Sequence, residues 1–239
     1  MLEGFIQYLR TDDPGAEAPA ATRERLKGRF APGSTRRMTL LGMLVGTALG
    51  DLQLAEDDAL VYLSAFGESR ALEDYLASFP AASPTLFQTS IHPSGVQQGL
   101  IGRQRSVREL FSQAGGGQLA VQGLLTAMLA PASRAVLAGG EERGTWLVEA
   151  RAVSDRTFAY ALALTRDPGA NPLGRLSLAR VIDRNCSGPG QAAERASLPL
   201  TNGPATGTLS HAAWFELLHR RQAFDGPAAE GWRLQLAWS

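Results

Sequence analysis

The chain has 239 residues and a formal net charge of zero, 23 Lys+Arg against 23 Asp+Glu, with 44% hydrophobic and 19% charged residues. That composition can bury a sizeable core and excludes a disordered chain, and the lack of a basic excess argues against a nucleic-acid partner. The single cysteine, Cys186, excludes an internal disulfide and a Cys-cluster metal site, and the three histidines lack H-x-H or H-x-x-x-H spacing, so no metal and no cofactor is expected.

Residues 1–10 carry Glu3 and lack a basic region followed by an apolar run, so they do not read as a signal peptide. The longest apolar stretch, 118–132, falls short of the roughly 20 residues needed to span a bilayer. A cytoplasmic α/β protein without a membrane span is the expectation.

In chain order, 2–9 reads as a strand through Phe5, Ile6, Tyr8 and Leu9, followed by a loop over 11–22 and a short helix over 22–30 that stops at Pro32-Gly33. Ser34 is placed as the N-cap of a helix over 35–49, on which Gly42, Gly46 and Gly50 recur every four residues and imply close packing. The apolar run 59–66 suits a buried central strand, and 69–79 an amphipathic helix. Residues 83–92, with two X-Pro pairs, read as a loop, and 95–101 as a helix. A second buried strand is expected over 106–112, a Gly-rich turn over 113–117, and a strongly apolar helix over 118–129. Further strands are expected over 134–139, 158–165, 176–181 and 232–238, with a helix over 209–222. The Gly/Pro/Ser/Thr-rich stretch 186–208 reads as an irregular crossover, and 1–239 as a single domain. Strands alternating with helices indicate an α/β layered fold.

Few residues carry a local chemical signature. The turn Gln113-Ala114-Gly115-Gly116-Gly117 lacks both the P-loop and the dinucleotide-binding spacing, so close helix–sheet approach explains its small residues better than phosphate binding. Ser112 precedes that turn without the G-x-S-x-G of a nucleophile elbow. His211 and His219 share the last helix with no evident acid partner. His92 lies in a loop, where capping or backbone bonding competes with a chemical role. Asp57-Asp58 read as turn residues, and Cys186 as an inert thiol.

The order of the segments resembles a known family. "STRRMTLLGMLVGTAL", "ALVYLSAFGESRALEDYLAS", "SPTLFQTSIHPSGVQQGLIG", "RELFSQAGGGQLAVQGLLTAMLA", "RAVLAGGEE" and the ending "WFELLHRRQ…GWRLQLAW" are similar, in sequence order, to segments of β-ketoacyl synthase-like proteins. The ending resembles that of short stand-alone members accompanying aryl-polyene-type and related type II polyketide or fatty-acid gene sets. The resemblance implies a shortened thiolase-like α/β/α fold, with a mixed central sheet and a buried helix after the elbow, corresponding to the N-terminal half of the thiolase fold.

The departures from the family pattern bear on function. A ketosynthase needs an elbow cysteine to receive the acyl chain as a thioester. Here Gln113 stands at that point, followed by Ala114, Gly115 and Gly116, as in chain length factors, and the half that bears the family's catalytic histidines is missing. The resemblance therefore implies a non-catalytic subunit that pairs with a full-length β-ketoacyl synthase as a heterodimer and shapes its acyl tunnel, meeting acyl carrier protein only through that complex. The interface strand would be 106–112, with Val107, Leu110, Phe111 and Ser112, and Phe87, Gln88 and His92 would be tunnel or interface neighbours. The alternative is an acyltransferase or thioesterase-like enzyme acting on acyl-carrier-protein substrates through Ser112 or His92.

Overall fold

The run Ala59–Ser64 forms strand β2, buried at every residue. Such a run needs apolar cover on both faces, and a three-layer arrangement provides it. The computed structural model describes residues 1–50, 52–181 and 208–239. These form β1 (Leu2–Asp12), α1 (Pro19–Lys27), α2 (Leu40–Ala48), β2, α3 (Ser69–Ala77), α4 (Pro84–Thr89), α5 (Ser94–Gly102), β3 (Glu109–Ala114), α6 (Leu119–Leu129), β4 (Arg134–Glu141), β5 (Phe158–Thr165), β6 (Gly174–Arg180), α7 (His211–His219), β7 (Phe224–Ala229) and β8 (Trp232–Trp238). Cys186 and most of the expected crossover at 186–208 lie outside the described residues.

One sheet of eight strands runs in the order β3-β2-β4-β5-β1-β6-β8-β7. β2 is parallel to β3 and to β4, and every other pairing is antiparallel. Alternate residues of β2 serve opposite layers. Val61 and Leu63 pack with Leu124 of α6 and, further along the same layer, Trp214 of α7. Leu60 and Tyr62 pack with Leu44 of α2 and Val96 of α5 on the other side. This is an α/β/α fold around a mixed sheet, with the apolar helix α6 buried after the turn that follows β3.

The glycine spacing on α2 has a matching stripe opposite. A Cβ at Gly42 would lie 3.2 Å from the Gly95 carbonyl oxygen, one at Gly99 would lie 3.2 Å from Gly46 Cα, and one at Gly50 would strike the Arg103 guanidinium. Two rows with the same four-residue period interlock, which brings α2 and α5 backbone to backbone.

Four expectations are corrected. Ser34 caps no α-helix. Residues Ser34–Arg37 form a 3₁₀ turn, and α2 begins later, where the Thr39 hydroxyl accepts the Gly42 N–H. Met38 is extended and buried between the two, and this ends the first turn. The loop expected over 83–92 contains α4, because Pro84 at the first helical position starts a helix while Ser83 caps it. The strand expected over 106–112 is shifted to Glu109–Ala114 and is a part-exposed edge strand, paired among the described residues with β2 alone. Val107 lies before it, and Gln113 and Ala114 belong to it rather than to the turn. The helix expected over 209–222 is shorter, and the chain after it returns as β7. Gly226 and Pro227 disguise that strand in the sequence, and its edge position, with a register shift after Pro227, accommodates them.

Candidate functional site

The carboxyl ends of parallel strands are where α/β sheets gather functional groups, and here the ends of β2, β3 and β4 do so. β3 runs into Gly115, whose φ of +132° is open to glycine and turns the chain toward α6. The two-residue period of β3 divides the expected site residues between layers. Phe111 and Gln113 face α6. The Gln113 side-chain N–H donates to Thr126 Oγ1 at 2.6 Å, and its Oε1 is buried with no hydrogen-bond partner. Leu110 faces the α5 layer together with Val107. Ser112, the register partner of Tyr62, lies on that same side and is exposed. Ala114 and Gly116 are also exposed.

His92 enters the site from the loop between α4 and α5. Its ring stacks on Tyr62 with centroids 5.0 Å apart, and its Nδ1 lies 2.9 Å from Glu68 Oε2. Glu68 also accepts the Gly95 N–H at 2.7 Å. An ionised Glu68 takes its hydrogen from Nδ1, which leaves Nε2 as an acceptor; that atom is buried without a partner. Phe87 is 49% exposed on α4 and packs against Tyr75, with Gln88 exposed beside it. Thus His92 and Ser112 share a face of the sheet, Gln113 points to the opposite face, and no hydrogen bond joins Ser112 to His92 among the described residues.

A second buried cluster has no forerunner in the sequence reading. His211 has an acid partner after all. Its Nδ1 lies 2.7 Å from Glu141 Oε1 at the end of β4, and its Nε2 lies 3.0 Å from the Tyr160 hydroxyl. Glu141 also accepts from the Ser64 hydroxyl and the Ala65 N–H. We assign the imidazole hydrogen to Nδ1, so that Tyr160 donates to Nε2 and every link of the chain is used once. The network pins the N-terminus of α7 and the turn after β2 to the end of the sheet. Burial, followed by the charges of Glu68 and Glu141, holds the Tyr62 phenol well above its ordinary value, although its hydroxyl has no partner in hydrogen-bond geometry. Burial and Glu141 do the same for Tyr160. Asp58, beyond its place in a turn, is buried and paired with Arg134. No group of three or more His, Cys, Asp or Glu side chains among the described residues could hold a metal ion.

No protein-family model and no curated protein matches the chain. Solved structures do. A chain in the complex of the ketosynthase ApeO with its chain length factor ApeC from Xenorhabdus doucetiae is 17% identical, and the match covers 99% of this chain and 100% of that one at a TM-score of 0.61. The ishigamide ketosynthase/chain length factor matches more loosely, at 13% identity and a TM-score of 0.48, over 75% of this chain and 64% of that one. The chain has a ketosynthase-like, thiolase-type layered fold, shared along its whole length with a chain of the Xenorhabdus complex.

Proposed function

We propose that this chain is a chain-length-factor-like subunit that pairs through β3 with a full-length β-ketoacyl synthase, forms part of its acyl tunnel and carries out no chemistry itself. On this reading residues 1–239 act as one unit in the cytoplasm, in biosynthesis of the aryl-polyene, polyketide or fatty-acid type. Acyl carrier protein reaches it only through the complex. The observation that carries the reading is the contrast between the two sheet edges. β7 is guarded by Pro227, a register shift and Asp225, whereas β3, among the described residues, has no proline or bulge and carries its one charge, Glu109, at its first position. A bare edge strand is a template for another chain. The penultimate residue of β3 is Gln113, whose amide cannot form a thioester. The full-length match to a chain from a ketosynthase–chain length factor complex supports the same reading.

The test is co-expression with a ketosynthase encoded beside it, followed by size exclusion. Ser112→Lys puts a charge on the exposed edge and should change monomer stability by no more than about 0.5 kcal/mol. The expected result is co-elution of the wild type and none of the variant. Normal co-elution of a folded Ser112→Lys protein would remove β3 from the interface.

The orientation of His92 by Glu68, on the face that carries Ser112, favours a second reading: an acyltransferase or thioesterase-like enzyme. Release of acid from an acyl thioester by the chain alone, abolished by Ser112→Ala, would select that reading over the first.

A further inference from the structure

A cleft of about 340 Å³ opens between the 3₁₀ turn, the start of α2, and helices α3 and α4. Four guanidiniums line it, from Arg23, Arg36, Arg37 and Arg70, against the carboxyl groups of Asp74 and Glu142. The charges do not cancel. Asp74 is held by Arg70 at 2.6 Å. Arg23 donates only to neutral acceptors, the Met38 carbonyl at 3.0 Å and Met43 Sδ at 3.6 Å. The guanidiniums of Arg36 and Arg37 have no ion pair or hydrogen bond among the described residues and are exposed.

Local structure accounts for their presentation. Had α2 begun at Ser34, both arginines would sit within its first turns. The 3₁₀ turn and the extended, buried Met38 separate them from α2 and set them side by side on the cleft wall. Three N–H groups at the start of α2 have partners: Thr39 donates to Gln98, Leu41 to Glu142 and Gly42 to the Thr39 hydroxyl. The guanidiniums are therefore the main attraction. Burial raises the Glu142 carboxyl above its usual range despite the Leu41 N–H and the nearby Arg70 and Arg23, so this acid is the more readily neutralised by a proton.

We infer that this cleft is a binding site for a phosphate-bearing small molecule, held by the forked N–H donors of Arg36 and Arg37, with Arg23 adding positive charge beside them. Planar guanidiniums match phosphate oxygens two at a time, and a concave wall with an excess of positive charge, four arginines against two acids, concentrates the field on an entering anion. The site is independent of the β3 interface, so the chain alone suffices for its test.

The experiment is calorimetric titration of the purified full chain with inorganic phosphate, pyrophosphate and citrate at matched ionic strength. The comparison is Arg36→Gln/Arg37→Gln, a surface double variant that breaks no contact in the fold. Saturable pyrophosphate binding by the wild type, at least about tenfold weaker in the variant, is the expected result, with phosphate weaker and citrate weaker still. Binding that merely follows ionic strength, or is equal in the variant, would overturn the site. Citrate binding as tightly as pyrophosphate would overturn its assignment to phosphate.

Discussion

Tyr62 is fully buried, and its hydroxyl, with the Glu68 carboxylate nearby, makes no hydrogen bond of good geometry among the described residues. A buried, unpaired hydroxyl contributes nothing that a phenyl ring would not, so Tyr62→Phe should leave stability at pH 7 within about 0.5 kcal/mol of the wild type. The difference belongs at high pH. The folded phenol keeps its proton to a higher pH than the unfolded one. Its share of stability is complete below about pH 10 and is lost as pH rises from there through the raised folded value, by up to about 1.4 kcal/mol per pH unit. Urea unfolding at pH 7 and at pH 11 should therefore show a smaller alkaline loss in Tyr62→Phe than in the wild type. Equal losses in the two proteins would mean that Tyr62 ionises as an ordinary phenol. At this scale the sequence was least informative. Glu141 and His211 stand 70 positions apart, and Glu68 and His92 stand 24 apart. Nothing near either histidine in the chain names its acid; only the sheet, by ending β2 and β4 side by side, brings the pairs together.

Among the elements, the α2–α5 crossing is the contact whose cause is plainest. Gly99 meets Gly46 through bare backbone, with no flexible side chain that could yield. Gly99→Val should cost about 1–3 kcal/mol as the helices are forced apart. Gly102, in the last turn of α5, has open space around it. Gly102→Ala should gain a few tenths of a kcal/mol from helix propensity. Denaturant midpoints of the two variants should move in opposite directions, and a shared direction would disprove the crossing as described. The four-residue glycine period was legible in advance because it is local. So were β5 and β8, one a solid apolar run and the other a strict alternation. β7 was hidden because Gly226 and Pro227 are poor strand formers that only an edge position tolerates. α4 was hidden because Pro84 was read as a breaker where it is an initiator. The strand before Gly115 was legible in kind but displaced, since Val107 continues its apolar pattern without joining its ladder.

For the whole molecule, the two borders of the sheet are unlike, and this governs how many copies can associate. A sheet that accepts a neighbour on both sides propagates head to tail into a filament, whereas one that accepts it on one side stops after a single addition. The two end strands are β3 and β7, and on the proposed pairing β3 is the receptive border while Pro227 closes the other. Two chains that meet β3 to β3, whether a ketosynthase with this subunit or this subunit with itself, leave no receptive border behind. Light scattering across a wide range of concentration should reach a plateau at two chains per particle, with no slow rise toward larger mass. Pro227→Val would lift the block at the other border and should turn that plateau into continued growth. On the proposed β3 pairing, the proline so poorly suited to a strand would limit the assembly to two chains.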